Sequence, residues 1–184
     1  MNESELVKEC LKGKQDSQKH LYELYAPKML GVCYRYANSH EEAEDFLQEA
    51  FITIFRKLDQ WKGDGELGAW IRKIAVNTSL NCIKARHRFT DHVNAIPIEE
   101  IPDQTILEKE SHPDELMELI HQLPDGCKAV FNLYAIEGYS HEEIGKMLNI
   151  KPSTSRSQYM KARKMLMQKL NPALKNLQND ESYG

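Results

Sequence analysis

The stretch Ser39-His-Glu-Glu-Ala-Glu-Asp-Phe-Leu-Gln-Glu-Ala-Phe-Ile-Thr-Ile-Phe-Arg-Lys-Leu58 decides the fold. Its apolar residues Ala43, Phe46, Leu47, Ala50, Phe51, Ile54, Phe55 and Leu58 alternate spacings of three and one, which draws a single stripe along an α-helix. Ser39 followed by Glu42 fits the S-x-x-E capping box that opens such a helix. Beside the stripe runs an acidic polar edge: from Asn38 to Gln60 there are six acids against two bases. Upstream, Leu21, Leu24, Tyr25, Met29, Leu30 and Cys33 belong to an earlier helix, with Pro27 as a kink or boundary. Downstream, Gly63, Gly65 and Gly68 break the pattern. Trp70, Ile71, Ile74, Ala75, Thr78, Leu80 and Ile83 then resume it, ending in the basic cluster Lys84 to Arg88. No segment alternates apolar and polar residues long enough to build a sheet, so the expected fold class is all-α.

Residues 89–112 differ in kind. Pro97 and Pro102, much acid and only scattered isoleucines mark a linker, because proline removes donors and biases its predecessor away from helix. Helical periodicity returns with Leu116, Leu119, Ile120 and Leu123, is interrupted at Pro124-Asp125-Gly126, and continues through Val130, Phe131, Leu133, Tyr134 and Ile136 to Gly138. Ser140-His141-Glu142-Glu143 is a second capping box. Asn149 suits a left-handed helix end, and Pro152 suits the first turn of a helix running from about Ser153 to Leu170. The expected domains are residues 1–88, a linker at 89–112, a second unit at 113–175 and a tail at 176–184.

The 184 residues are 41% hydrophobic and 28% charged, a globular balance rather than a disordered one. No apolar run reaches the roughly 18 residues of a membrane span. The acidic start lacks the order of a signal peptide, which leads us to expect a cytoplasmic chain without membrane insertion. Cys10, Cys33, Cys82 and Cys127 lie far apart among apolar neighbours and read as reduced core residues; no metal site or cofactor is expected. The net charge of −4 hides an uneven distribution. Trp61 to Thr90 carries six bases against two acids, Asp91 to Asp125 ten acids against one base, and Lys151 to Lys175 seven bases and no acid. Two basic blocks divided by an acidic one point to two surfaces that face a polyanion.

The second unit reads as a helix-turn-helix: a short helix to Leu148, a turn at Asn149 to Lys151, and a longer basic helix. Thr154, Arg156, Ser157, Gln158, Lys161 and Arg163 lie near the start of that helix. Arginine, lysine and glutamine can make paired hydrogen bonds to base edges in the major groove. Serine and threonine suit phosphates, and Lys164 and Lys169 add counterion release. In the first unit, Trp61 and Trp70 flank the glycine-rich loop, with Arg72, Lys73 and Asn77 just beyond. Aromatic rings beside basic residues hold unstacked single-stranded bases. Asn77 could read a base edge, while Lys84, Arg86 and Arg88 could track phosphates. Taken alone, either tryptophan reads as core more readily than as a stacking platform.

Taken together, these segments resemble a family. Asp45-Phe-Leu-Gln-Glu-Ala-Phe51, the Gly63 to Trp70 loop with Ile74-Ala-Val-Asn77, Gly138-Tyr-Ser-His-Glu-Glu-Ile-Gly145 and Ser153-Thr-Ser-Arg-Ser-Gln158 are similar to those of bacterial RNA polymerase sigma factors of the extracytoplasmic-function class. The likeness covers nearly all of the chain except the termini and linker. It implies two small helical domains, sigma domain two and the helix-turn-helix domain four, with an acidic linker in place of the middle domain of larger sigma factors. It implies docking on the clamp coiled coil of core RNA polymerase through Asp45, Gln48, Glu49 and Phe51. It implies recognition of the melted minus-ten strand by Trp61, Lys73 and Asn77, with Trp70 as a buttress. The minus-thirty-five duplex would then fall to Thr154, Arg156, Ser157, Lys161 and Arg163. It further implies an anti-sigma partner, and it offers the linker a role as an acidic strand threading the polymerase channel. Two departures touch base readout. Lys151 stands where the family often has a capping serine, which could shift the start of the recognition helix by a residue, and Met160 stands where an aromatic or apolar residue often faces DNA.

Two other classes compete. An enzyme would need more than the single Glu118-x-x-His121 pair, which lacks the second pair and the two further glutamates of a di-iron bundle. A helix-turn-helix transcription activator with an N-terminal signalling domain would share the second unit. It would have no use for the aromatic loop or the acidic helix of the first.

Overall fold

The computed structural model describes residues 2–87 and 113–170, and the contacts divide the chain into two compact units, residues 1–91 and 92–184. The linker at 89–112, Arg88 and the tail lie outside the described residues, and so does the threading role expected of the linker. Among the described residues every regular element is a helix.

The first unit contains α1 (Glu3–Leu11), α2 (Gln15–Tyr34), α3 (His40–Lys57) and α4 (Leu67–His87), with a 3₁₀ turn at Leu58–Gln60. The stripe read from the sequence is the buried face of α3: Ala43, Phe46, Leu47, Ala50, Phe51 and Ile54 are all buried. They pack between α2 and α4. Helix α1 was not anticipated. Asn2 and Glu5 cap it reciprocally, and Leu6, Val7 and Cys10 bury its inner face. Pro27 neither ends nor divides α2, because it lies on an exposed side and withholds only one donor from the ladder. At the start of α3, Ser39 accepts from the Glu42 N–H as expected. The return arm differs: Glu42 accepts from the Asn38 N–H at 2.6 Å, one residue upstream of the cap.

Cys10, Cys33 and Cys127 are buried, whereas Cys82 on α4 is half-buried, less enclosed than its neighbours in sequence suggested. Burial pushes the Cys33 thiol up to about 11, which keeps it protonated and unreactive. No described helix is long and apolar enough to cross a membrane, and no described group of three or more His, Cys, Asp or Glu could hold a metal ion.

The second unit contains α5 (Pro113–His121), α6 (Asp125–Phe131), a π-helical turn at Asn132–Ile136, α7 (His141–Leu148) and α8 (Pro152–Leu170). Ile120, Leu123, Cys127, Phe131, Ala162 and Leu166 form its core. The periodicity from Val130 to Ile136 reads as plain α-helix, but the last turn widens: the Glu137 N–H donates to the Asn132 carbonyl at 2.9 Å, a five-residue step. Ser140 and Glu143 complete the expected capping box. Asn149 takes the left-handed conformation (φ 56°), and α8 begins at Pro152, one residue ahead of the sequence reading. The tightest point is Gly145. A Cβ there would sit 2.9 Å from the Ile150 carbonyl oxygen, so only glycine lets the turn pass over α7.

His141 ties the two helices of this motif together. Its ring stacks on Tyr134 at 4.3 Å between centroids, and its Nδ1 lies 2.9 Å from the hydroxyl of buried Ser155 on α8. Burial, followed by the nearby Arg156 guanidinium, pushes the imidazole below its ordinary value of 6.5, against a weaker opposing pull from Glu142.

Two outcomes follow. Gly145→Ala should destabilise the second unit by about 1–3 kcal/mol, read as faster amide hydrogen exchange in α7 and α8. The folded imidazole binds its proton less tightly than the unfolded one, so the stability linked to it is full above pH 6.5 and is lost as pH falls through the depressed folded value. His141→Gln should therefore flatten the fall in unfolding free energy that begins as pH drops below the ordinary imidazole value of 6.5, read from urea unfolding at a series of pH values.

Candidate nucleic-acid interface

In the first unit, burial of the α3 stripe turns the opposite face outward. Asp45, Gln48 and Glu49 are exposed on it, spaced so that they share one surface. Phe51 does not join them. It is 3% exposed, with its ring 4.6 Å from Tyr22 and 6.0 Å from Phe55, so it supports the face from beneath. The apolar residue that does stand among the carboxylates is Ile52, 53% exposed. Sequence reasoning passed over it, although a large aliphatic residue off the stripe was the available signal. The half-buried Cys82 of α4 feels this acidic flank: burial, then Glu49 and Glu42, push its thiol up.

After the 3₁₀ turn the chain enters the glycine loop, where Gly63 and Gly65 take φ values of 79° and 146°. Both lie in the region closed to ordinary side chains, so these glycines let the loop fold back toward α4. Trp61 and Trp70 are both half-buried and line an open pocket of about 400 Å³, with Lys73, Asp64 and Glu66 also on its wall. Each tryptophan therefore has one side packed and one side available. Indole faces can stack a planar base, and the Lys73 ammonium can neutralise a phosphate. The two carboxylates repel phosphate and accept hydrogen bonds from exocyclic amines. Lys73 and Asn77 are exposed and one helical turn apart. Arg86 is not brought to this surface: its guanidinium pairs with Glu42 of α3 and braces α4 against it. Arg88 lies outside the described residues.

In the second unit, α8 buries Ser155, Ala162 and Leu166, which fixes what faces outward. Opposite that stripe lie Ser153, Ser157, Met160 and Lys164; Arg156 and Arg163 share one flank, Thr154 and Lys161 the other. Arg156 is exposed, 3.8 Å from Glu142 at the start of α7, and Arg163 lies over the Tyr159 ring at 5.9 Å. Gln158 is turned the other way. Its carboxamide oxygen accepts from the Cys127 thiol at 2.9 Å and packs against Gly126 of α6, so it joins the core side of the helix.

Known proteins resemble this chain over both units. Residues 21–89 match the model of sigma-70 region 2, and residues 114–166 that of sigma-70 region 4. The chain is 31% identical over 182 residues to the ECF RNA polymerase sigma-E factor of Escherichia coli K12, covering 92% of this chain and 95% of that protein. It is 29% identical to the RNA polymerase sigma-H factor of Pseudomonas aeruginosa, over 94% and 96% of the two chains. Among solved structures, the sigma factor RpoE of Bartonella quintana, crystallised with the anti-sigma factor NepR, shares the fold at a TM-score of 0.51 and 20% identity. That match covers 83% of this chain and 95% of that one. With both regions matched in order and the curated relatives covered almost end to end, this chain belongs to the RNA polymerase sigma factors of the extracytoplasmic-function class.

Proposed function

We infer that this sigma factor docks on core RNA polymerase through the outer face of α3, holds the melted minus-ten strand at the Trp61–Trp70 pocket and reads the minus-thirty-five duplex with α8. The observation that carries the reading is the division of the first unit. One helix turns Asp45, Gln48, Glu49 and Ile52 outward, while the next loop opens an aromatic pocket beside Lys73. A carboxylate face with an apolar centre suits a protein partner and repels nucleic acid. An indole-walled pocket with a lysine suits single-stranded bases.

The domain roles follow: residues 1–88 for polymerase and strand, 89–112 as a linker, 113–175 for duplex, and 176–184 as a tail. On α8, Thr154, Arg156, Ser157, Lys161 and Arg163 are the base- and phosphate-facing set, and Lys164 adds a phosphate contact. Phosphodiester chemistry belongs to the polymerase, and the chain's own part is initiation rather than catalysis. That work places it in the cytoplasm, and family membership supports restraint by an anti-sigma factor.

Run-off transcription with purified core polymerase, on the promoter upstream of its own gene, tests the reading. A transcript should appear only when the protein is added and should be lost with Asp45→Arg or Arg156→Glu. Tight duplex binding without polymerase, and no transcript, would instead indicate an activator. Base and phosphate contacts separate by salt. Lys164→Ala should weaken holoenzyme binding on all promoter sequences and lower the salt slope by about one, whereas Arg156→Ala should cost about 1–3 kcal/mol and relax the preference at one base pair.

A further inference from the structure

Helix α1 lies ahead of the region-2 match, which begins at residue 21, yet one of its side chains reaches the start of α4. Glu3 accepts two hydrogen bonds from other helices of the unit. Its Oε1 takes the Tyr25 hydroxyl at 2.8 Å, and its Oε2 takes the Leu67 N–H at 3.1 Å. Leu67 is the first residue of α4, and its N–H is one of the donors that a helix leaves without an intrahelical partner. A cap is usually supplied by the residue just before the helix; here a carboxylate 64 residues away in sequence supplies one, with the added attraction of a negative charge for a helix N-terminus.

Both ends of this link are held. The Asn2–Glu5 capping box fixes the first turn of α1, and Leu6, Val7 and Cys10 anchor the helix. Tyr25 is 8% exposed, and its ring lies so close to α4 that a Cβ on Gly68 would be 3.2 Å from it. Burial, then Glu3 itself, push the Tyr25 hydroxyl up to about 12, so it remains a donor at any working pH. The loop at 62–66 leads into α4, and its two left-handed glycines give it wide freedom when unfolded. One wall of the pocket, Trp61, precedes that loop, and the other, Trp70, stands one turn inside α4.

We propose that Glu3 is a positioning residue for the Trp61–Trp70 pocket: by capping α4 from α1 it holds the two indole walls at a fixed spacing before any strand arrives. The consequence for transcription rests on the reading of that pocket as the strand site.

Trp61 and Trp70 are the only tryptophans of the chain, so fluorescence excited at the red edge of the absorption band, where its eight tyrosines do not absorb, reports on this pocket alone. Glu3→Ala should increase acrylamide quenching and speed hydrogen exchange at the Leu67 amide about five-fold, the factor that matches a cap of ~1 kcal/mol. Glu3→Gln keeps an acceptor oxygen and should recover most of both. In the holoenzyme, Glu3→Ala should weaken binding of a single-stranded minus-ten oligonucleotide about five-fold while core affinity stays unchanged. Wild-type quenching and Leu67 exchange in Glu3→Ala would overturn the proposal, and so would core affinity falling in parallel with strand affinity. Trp61→Ala separates the two readings. If that variant binds the oligonucleotide normally, the strand site is misplaced, while the quenching and exchange results still judge the Glu3 link.

Discussion

The first unit depends on where α3 can hide its apolar face. Phe46, Leu47, Phe51 and Ile54 are each 5% exposed or less, and burying such side chains stabilises by about 1.5–3 kcal/mol apiece. That burial fixes the rotation of the helix about its own axis. Turning α3 by one residue would put a phenylalanine in water and a carboxylate in the core, so Asp45, Gln48, Glu49 and Ile52 have no other place than outside. The same packing seats α4 against α3, and the Glu42–Arg86 pair adds register more than stability because both groups remain partly solvated. An acidic outer face and a braced α4 are thus two results of one burial.

The second unit is governed by a tighter constraint, the crossing of a turn over a helix. Gly145 gives way to the Ile150 carbonyl, Asn149 supplies the left-handed residue and Pro152 starts α8 with its backbone angle already set. The angle between α7 and α8 follows from these three residues. The His141–Ser155 contact and the Tyr134 stack then hold the first turn of α8 from behind, at the level of Arg156. Arg156 is therefore presented by a helix start fixed on its buried side, while its own side chain remains exposed.

Much of this was legible because it rests on local rules. The three-and-one spacing of α3, the Ser140 capping box, Asn149 and Pro152 all state their roles within a few residues. The missing parts are those in which local signals compete with packing. Phe51 and Ile52 are adjacent apolar residues, and only the phase of the stripe separates the buried one from the exposed one. Gln158 lies among basic residues on a helix that reads as DNA-facing, yet its angular position brings it against Gly126. Arg86 sits in a basic run whose charge suggested phosphate, but Glu42 on another helix takes it. The widened turn at Asn132–Ile136 leaves the apolar spacing almost unchanged, so periodicity could not report it. Helix α1 carried a readable N-x-x-E cap, whereas the reach of Glu3 to Leu67 is long-range and has no local signature at all.

Charge placement explains why such a chain works with a polymerase rather than alone. The net charge of −4 opposes approach to DNA from a distance, and the acids of α3 add a field of the wrong sign. At physiological salt the screening length is about 8 Å, so a duplex already touching α8 responds mainly to the lysines and arginines of that helix. The charge balance therefore makes the chain a poor searcher for DNA. On the proposed reading, attaching α3 to polymerase resolves the conflict: the acids are covered by a protein partner, and the two nucleic-acid surfaces meet promoter DNA at the effective concentration set by the complex, on the order of millimolar for short flexible tethers. Weak contacts at the pocket and on α8 then suffice, because neither has to capture DNA from solution. Occlusion of the α3 face alone would accordingly silence both reading surfaces without touching either.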